Sequence, residues 1–158
     1  MDNEEFRIES INAENIDACV SLFVESSLNA IYHRSKIVVK KDLERGAVDD
    51  VFRLLVDENG QVFGYIRFTY SGMFGHLPFL DTIIVDEKMR GKGLGSLLEK
   101  IMCEELKSHF KNVVFLNVAE CNVCAIDFYT SHEWQIVGKV PGMYKKEIDE
   151  IIMMKRIR

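Results

Sequence analysis

The sequence contains no apolar run near the ~18 residues that a membrane-spanning helix needs, so no membrane span is expected. It also lacks an excess of positive charge. Lys and Arg number 20 against 25 Asp and Glu, a net charge of −5. Nucleic acid is therefore not an expected partner, because phosphate neutralisation requires a basic surface. The segment Met1-Asp2-Asn3-Glu4-Glu5 is acidic and lacks the basic-then-apolar profile of a secretory leader, so a cytoplasmic location is the expectation. Four cysteines do not make a disulfide framework in a chain of 158 residues. Cys121 and Cys124 form a C-x-x-C, but Cys19 and Cys103 offer no second close pair for structural zinc. Reduced thiols around a helix start are the expectation, with no metal. Internal repeats, low-complexity tracts and linkers are all missing, and the length fits one domain over residues 1–158.

What is present is a clear alternation of periods. Phe6 to Ile11 alternates apolar and polar residues and reads as a strand. Asn12 to Leu28 places Ile16, Val20, Phe23 and Val24 on one helical face. A short helix is expected over Lys40 to Arg45, stopped by Gly46. Val51 to Val56 and Gln61 to Tyr70 flank Asp57-Glu58-Asn59-Gly60, a hairpin signal. Ser71 to Pro78 reads as a loop and Phe79 to Val85 as a buried strand. A helix starting near Gly93 then carries Leu94, Leu97, Leu98, Ile101, Met102 and Leu106 as its apolar stripe, with Glu99, Glu104, Glu105 and Lys107 opposite. Val113 to Val118 is a strand, Val123 to His132 a helix, and Trp134 to Val140 and Ile151 to Lys155 are strands. The order β-α-α-β-β-β-α-β-α-β-β implies an α/β fold with a mixed sheet flanked by helices.

Between the buried strand and the helix lies Arg90-Gly91-Lys92-Gly93-Leu94-Gly95-Ser96. A strand, a glycine-rich turn and a helix N-terminus in this order form an anion cradle. First-turn N–H groups point outward, the helix dipole favours negative charge, and glycine lets an anion approach the backbone. Spacing excludes two nucleotide motifs. A P-loop would need glycine where Asp86 stands and Gly-Lys-Ser/Thr where Gly93 follows Lys92. The dinucleotide fingerprint would need its third glycine at Ser96 or at Leu98.

The spacing present is R-x-x-G-x-G, on Arg90, Gly93 and Gly95. It resembles the acetyl-CoA pyrophosphate loop of the GNAT superfamily of N-acetyltransferases. Leu80 to Asp86 is similar to that family's central strand. Asn122-Val123-Cys124-Ala125-Ile126-Asp127-Phe128-Tyr129 is similar to its second signature, N-x-x-A-x-x-x-Y, and Trp134 to Gly138 to the strand after it. The glycine that often precedes the aromatic in that family is Glu133 here. The resemblance implies a GNAT-type acyl-CoA N-acyltransferase fold, with a mixed, mostly antiparallel sheet of about seven strands and about four helices.

It implies further that acetyl-CoA is the acyl-donor substrate. The pyrophosphate would lie on Arg90, Gly91, Lys92, Gly93, Leu94, Gly95 and Ser96, and the pantetheine arm would pair with backbone of Ile84 and Val85. Asn122 would touch the same arm as well as cap its helix. Tyr129 would be the general acid that protonates the leaving thiolate. Some family members carry a glutamate base five positions before the signature asparagine, where this chain has Asn117. Asp81, Glu120 and a water chain remain as candidate routes for the amine's proton, and His33, His76, His109 and His132 titrate in a suitable range. The acceptor would be a primary amine on a small molecule or peptide, gripped by the segments 26–34, 71–76 and 140–146, where Tyr32, Phe74 and Tyr144 offer aromatic walls. The alternative function is a CoA-binding sensor with the same fold and little or no turnover, and exposed sheet edges are compatible with a homodimer.

Overall fold

A computed structural model describes residues 6–158. The acidic segment Met1 to Glu5, on which the leader expectation rests, lies outside the described residues. The elements run β1 (Arg7–Glu9), α1 (Ile16–Glu25), α2 (Ser27–Tyr32), α3 (Lys36–Asp49), β2 (Val51–Val56), β3 (Val62–Met73), β4 (Leu77–Val85), α4 (Leu94–Ser108), β5 (Val113–Ala119), α5 (Val123–Ser131), β6 (Gln135–Lys145) and β7 (Ile148–Arg156), with a 3-10 turn at Glu87–Met89. Among the described residues the seven strands form one sheet, in the order β1-β2-β3-β4-β5-β7-β6. The sheet is mixed: β4 and β5 are parallel, while β1/β2, β2/β3, β5/β7 and β6/β7 are antiparallel. This is the sheet the element order implied.

The helices differ from expectation in three places. The long helix expected over Asn12 to Leu28 breaks at Ser26, whose hydroxyl donates to the Phe23 carbonyl at 2.6 Å and accepts from Asn29 N–H at 3.2 Å. One serine thus closes α1 and caps α2, and five α-helices result. The helix expected to stop at Gly46 runs through it, from the Ser35 cap to Asp49. Gly46 serves contact rather than termination, since a Cβ there would sit 2.5 Å from Arg67 Nη2. In α4 the buried stripe is Leu94, Leu98, Met102 and Leu106; Leu97 is exposed and Glu99, expected outside, is buried. Glu99 lies three residues before Met102, on the flank of that stripe. The expected loop at 71–78 is instead a tight turn between β3 and β4, with Phe74 and Gly75 at positive φ.

The chain divides into two compact units, one built from residues up to Thr69 together with Thr82–Met102, the other from Tyr70–Asp81 together with Cys103–Arg158. In the first, α1 turns Ile16, Cys19, Val20 and Phe23 inward at helical spacing, against Val39 and Leu43 of α3 and Phe52, Leu54 and Tyr65 of β2 and β3. Arg67 is nine-tenths buried there, and it is neutralised by Asp50 at 2.7 Å and Asp42 at 3.1 Å. In the second unit, Leu106, Val114, Leu116, Val118, Trp134, Ile151 and Met153 are buried. Phe79 pairs with Phe115 where β4 meets β5.

Among the glycines of the first unit, Gly64 on β3 lies closest to neighbouring backbone. A Cβ there would lie 2.8 Å from the carbonyl oxygen of Ile84 and 3.3 Å from Val85 Cα. Neither atom belongs to a flexible side chain that could move aside. Gly64→Ala should cost about 1–3 kcal/mol by overpacking, read as a lower urea midpoint at unchanged m-value.

Candidate active site

The first unit delivers the glycine loop. After Val85, Asp86 N–H bonds to the Phe63 carbonyl at 2.8 Å, which ties the strand end to β3. The Asp86 carboxylate accepts from Lys88 N–H at 2.9 Å and caps the 3-10 turn. The chain leaves that turn extended at Arg90, then passes through Gly91 at φ +77° and Gly93 at φ +80°. Leu97 N–H bonds to the Gly93 carbonyl at 3.0 Å, which closes the first turn of α4. Leu94 is buried and anchors the helix start.

A Cβ at Gly91 or Gly93 would meet nothing within 4 Å. Glycine is therefore required there by the backbone turn, and the space beside it is open. Arg90 and Lys92 are exposed at this opening. Arg90 Nη2 lies 3.2 Å from Ser27 Oγ and 3.7 Å from Glu87, while Lys92 Nζ touches Met89 Sδ at 3.5 Å. Ile84 is buried and Val85 half-buried, directly before the loop.

The second unit holds the other expected residues. Asn122 caps α5, its Oδ1 accepting from Ala125 N–H at 3.3 Å. Tyr129 follows on the same helix and is buried. Its ring meets Trp134 edge-on at 5.5 Å and Phe128 at 5.4 Å. Trp134 N–H bonds to the Tyr129 carbonyl at 3.1 Å, so the aromatic pair is fixed by backbone as well as by packing. Glu133 between them has φ +66° and adopts the left-handed turn in which glycine is at ease.

The two candidate bases are in different surroundings. Glu120 is half-exposed and accepts from Lys139 Nζ with both oxygens at 2.9 Å. Lys139 also reaches Asp149 at 3.1 Å. The bond to Glu120, then that to Asp149, raises the Lys139 ammonium above its usual range, and Lys139 in turn lowers Asp149. Asp81 is exposed on β4. It is one of the groups acting on Tyr144, whose phenol is raised by burial first and then by the charges of Glu150 and Asp81.

Asn117, which stands where some family members carry the base, and Glu150, which the sequence did not single out, are linked to Tyr144. Glu150 on β7 is fully buried and accepts from Asn117 Nδ2 at 2.8 Å. Tyr144 Oη donates to Asn117 Oδ1 at 3.3 Å. Glu150 was concealed by its context, an acidic run that merges into an apolar strand; only the β7 register shows it opposite Ala119 and Val140.

The histidines are structural or superficial. His109 stacks on Tyr70, His132 stacks on Phe128, His33 ends α2 and His76 is exposed. Cys121 and Cys124 are exposed and, like Cys19 and Cys103, free. Among the described residues no cluster of three metal-ligating side chains exists, and no helix is long and apolar enough to cross a membrane.

Residues 17–134 match the family model described as "Acetyltransferase (GNAT) family". Comparison with curated proteins gave no match. Solved structures share the fold. A putative acetyltransferase of the GNAT family from Desulfovibrio desulfuricans aligns at TM-score 0.80 and 12% identity, over 97% of this chain and 99% of its own. The ribosomal-protein-S18-alanine N-acetyltransferase of Escherichia coli aligns at 0.76 and 20% identity, over 96% and 94%. An aminoglycoside 6'-N-acetyltransferase complexed with coenzyme A aligns at 0.78 and 16% identity, over 96% and 97%.

The left-handed positions give opposite expectations. Gly91→Ala and Gly93→Ala should each cost about 1–2 kcal/mol through φ strain alone. Glu133→Gly should gain up to about 1 kcal/mol, because it relieves the same strain. Urea denaturation of the three variants checks both signs.

Proposed function

The chain belongs to the acetyltransferase (GNAT) family, and on that footing we propose that it transfers the acetyl group of acetyl-CoA to a primary amine of a small molecule or peptide, within one ternary complex. The observation that carries this reading is the loop from Arg90 to Ser96. Two glycines at positive φ open onto free space at a helix N-terminus, with two exposed cations beside them. That combination suits a pyrophosphate, held by first-turn N–H groups and by Arg90 and Lys92. Backbone of Ile84 and Val85 would pair with the pantetheine arm, and Asn122 would add a contact to it.

In the reaction the neutral amine attacks the thioester carbonyl carbon, the C–S bond breaks, and the acetyl group leaves on nitrogen. The proton from the amine goes to a carboxylate or to water, and the CoA thiolate takes one from the Tyr129 hydroxyl. A thiolate is a fair leaving group, so this proton assists rather than decides the step. Of the two carboxylates, Asp81 is better suited to accept the amine's proton, because protonating Glu120 would break its ion pair with Lys139. Residues 1–158 would act as one acetyltransferase domain in the cytoplasm. The exposed apolar Ile136 and Val137 on β6, last in the strand order, support a homodimer.

Acetyl-CoA at about a hundred times its Kd should stabilise the protein by about 2.7 kcal/mol and raise its Tm, while ATP and NAD should not. Equal shifts from all three would remove the donor from the proposal. CoA release against a panel of polyamines, amino acids, aminoglycosides and peptides then identifies the acceptor, and tight acetyl-CoA binding without release would favour a sensor. In Tyr129→Phe, turnover should fall by about 10²-fold or more without vanishing.

A further inference from the structure

Two phenylalanines of the second unit are held where neither backbone nor packing rewards them. Phe110 is 93% exposed and Phe74 77%. Both sit at positive φ, +57° and +54°, in the left-handed region that strains any side chain and favours glycine. Phe110 follows the end of α4, where Lys111 N–H bonds to the Leu106 carbonyl at 3.0 Å and Phe110 N–H to the Lys107 carbonyl at 3.0 Å. Glycine is the usual residue at that position of a closing turn. Phe74 occupies the tip between β3 and β4.

Both rings stand at one end of the sheet. β4 and β5 are parallel and pair at Phe79 and Phe115, and each exposed phenylalanine lies five positions before its strand's paired residue. Tyr70, on β3 before the Phe74 tip, stacks on His109 beside Phe110, with ring centroids 4.5 Å apart. β7 finishes at the same end, since Arg156 pairs with Val113 and Ile157 N–H bonds to the Asn112 carbonyl at 2.8 Å. Charge there has one sign. Segments 70–80, 106–119 and 151–158 contain five Lys and Arg and no Asp or Glu, in a chain of net charge −5. Two bordering carboxylates are engaged: Glu105 accepts from Tyr70 Oη at 2.8 Å, and Glu133 faces Arg158 at 4.0 Å. Among the described residues Lys107, Lys111 and Arg156 have no ion-pair partner.

We propose that this end of the second unit docks on an anionic lipid surface, with the Phe110 and Phe74 rings at the boundary of headgroups and acyl chains and Lys107, Lys111 and Arg156 on lipid phosphates. Two separate projecting tips favour a bilayer over a protein, because a fluid surface receives each ring without a preformed pocket. Attraction of the cations fades within a Debye length, so only this end is drawn in while the acidic remainder is repelled, which sets the orientation. Apolar insertion and charge act together as a reversible anchor, and no spanning helix is needed. Phe74 is thereby assigned to lipid, in place of the acceptor wall that the family resemblance implies. The docking goes beyond the acetyltransferase reading and does not depend on it.

The test is co-sedimentation of the full chain with sucrose-loaded vesicles of phosphatidylcholine, alone or with phosphatidylglycerol added. At low ionic strength, partitioning onto the anionic vesicles should exceed that onto neutral ones by about tenfold or more, and high salt should remove most of the difference. Phe110→Gly and Phe74→Gly should each weaken it by about fivefold while raising the urea midpoint, because glycine relieves the left-handed strain. A ring that served the fold would give the opposite shift in midpoint. Lys111→Gln and Arg156→Gln should each weaken anionic binding by about fivefold and leave binding to neutral vesicles unchanged. Stabilisation by acetyl-CoA should be the same in Phe110→Gly as in the wild type, which separates loss of docking from loss of the donor site. Equal partitioning onto the two kinds of vesicle, unchanged partitioning in both glycine variants, or a lower urea midpoint in Phe110→Gly overturns the proposal. Poly-L-glutamate bound as tightly as the anionic vesicles would assign the surface to an acidic polypeptide and likewise overturn it.

Discussion

A side chain at position 64 would meet the Ile84 carbonyl oxygen at 2.8 Å, and much of the first unit follows from that approach. Because β3 has only a hydrogen there, the end of β4 can lie close against it. The Asp86 N–H then reaches the Phe63 carbonyl, and the chain is released into the 3-10 turn at a fixed point. Everything downstream inherits this placement: the extended Arg90, the two left-handed glycines and the buried Leu94 that starts α4. The loop is thus located by strand contact behind it as well as by the helix in front. A loop held at both ends would present its N–H groups to an anion without having to be ordered by it, which lowers the entropic cost of such binding.

The second unit achieves similar rigidity by different means. Asn122 caps α5, Trp134 bonds to the Tyr129 backbone, and the rings of Phe128, Tyr129 and Trp134 meet edge-on. Strain at Glu133 is the local cost of the turn that brings Trp134 back to Tyr129. The buried arginine of the first unit shows the same economy of space. Arg67 occupies the room that Gly46 leaves, and Asp42 and Asp50 neutralise a charge that would otherwise be prohibitive to bury.

The strand count and mixed sheet were legible because strand periods and turn residues are local signals. Asn59-Gly60 and the alternation in β2 and β3 needed no tertiary information. The breaks were harder. Gly46 looked like a stop, since the guanidinium that requires it comes from Arg67, 21 positions away. Ser26 looked like one more helical residue, since its dual role depends on backbone geometry rather than on composition. Of the candidate site, the glycine loop and the Asn122 to Tyr129 spacing could be read as motifs. Glu150 could not be, because its place beside Asn117 is a product of strand register.

The cysteines divide sharply by environment, with a practical result for anyone who quantifies thiols on this protein. Burial pushes the Cys19 thiol up to about 12, so at neutral pH it is almost wholly protonated and a negligible nucleophile. Cys121 and Cys124 are exposed and flank Asn122 at the head of α5. A colorimetric reagent that counts released coenzyme by its sulfhydryl will therefore also titrate these two positions, and a bulky adduct on either would crowd the asparagine between them.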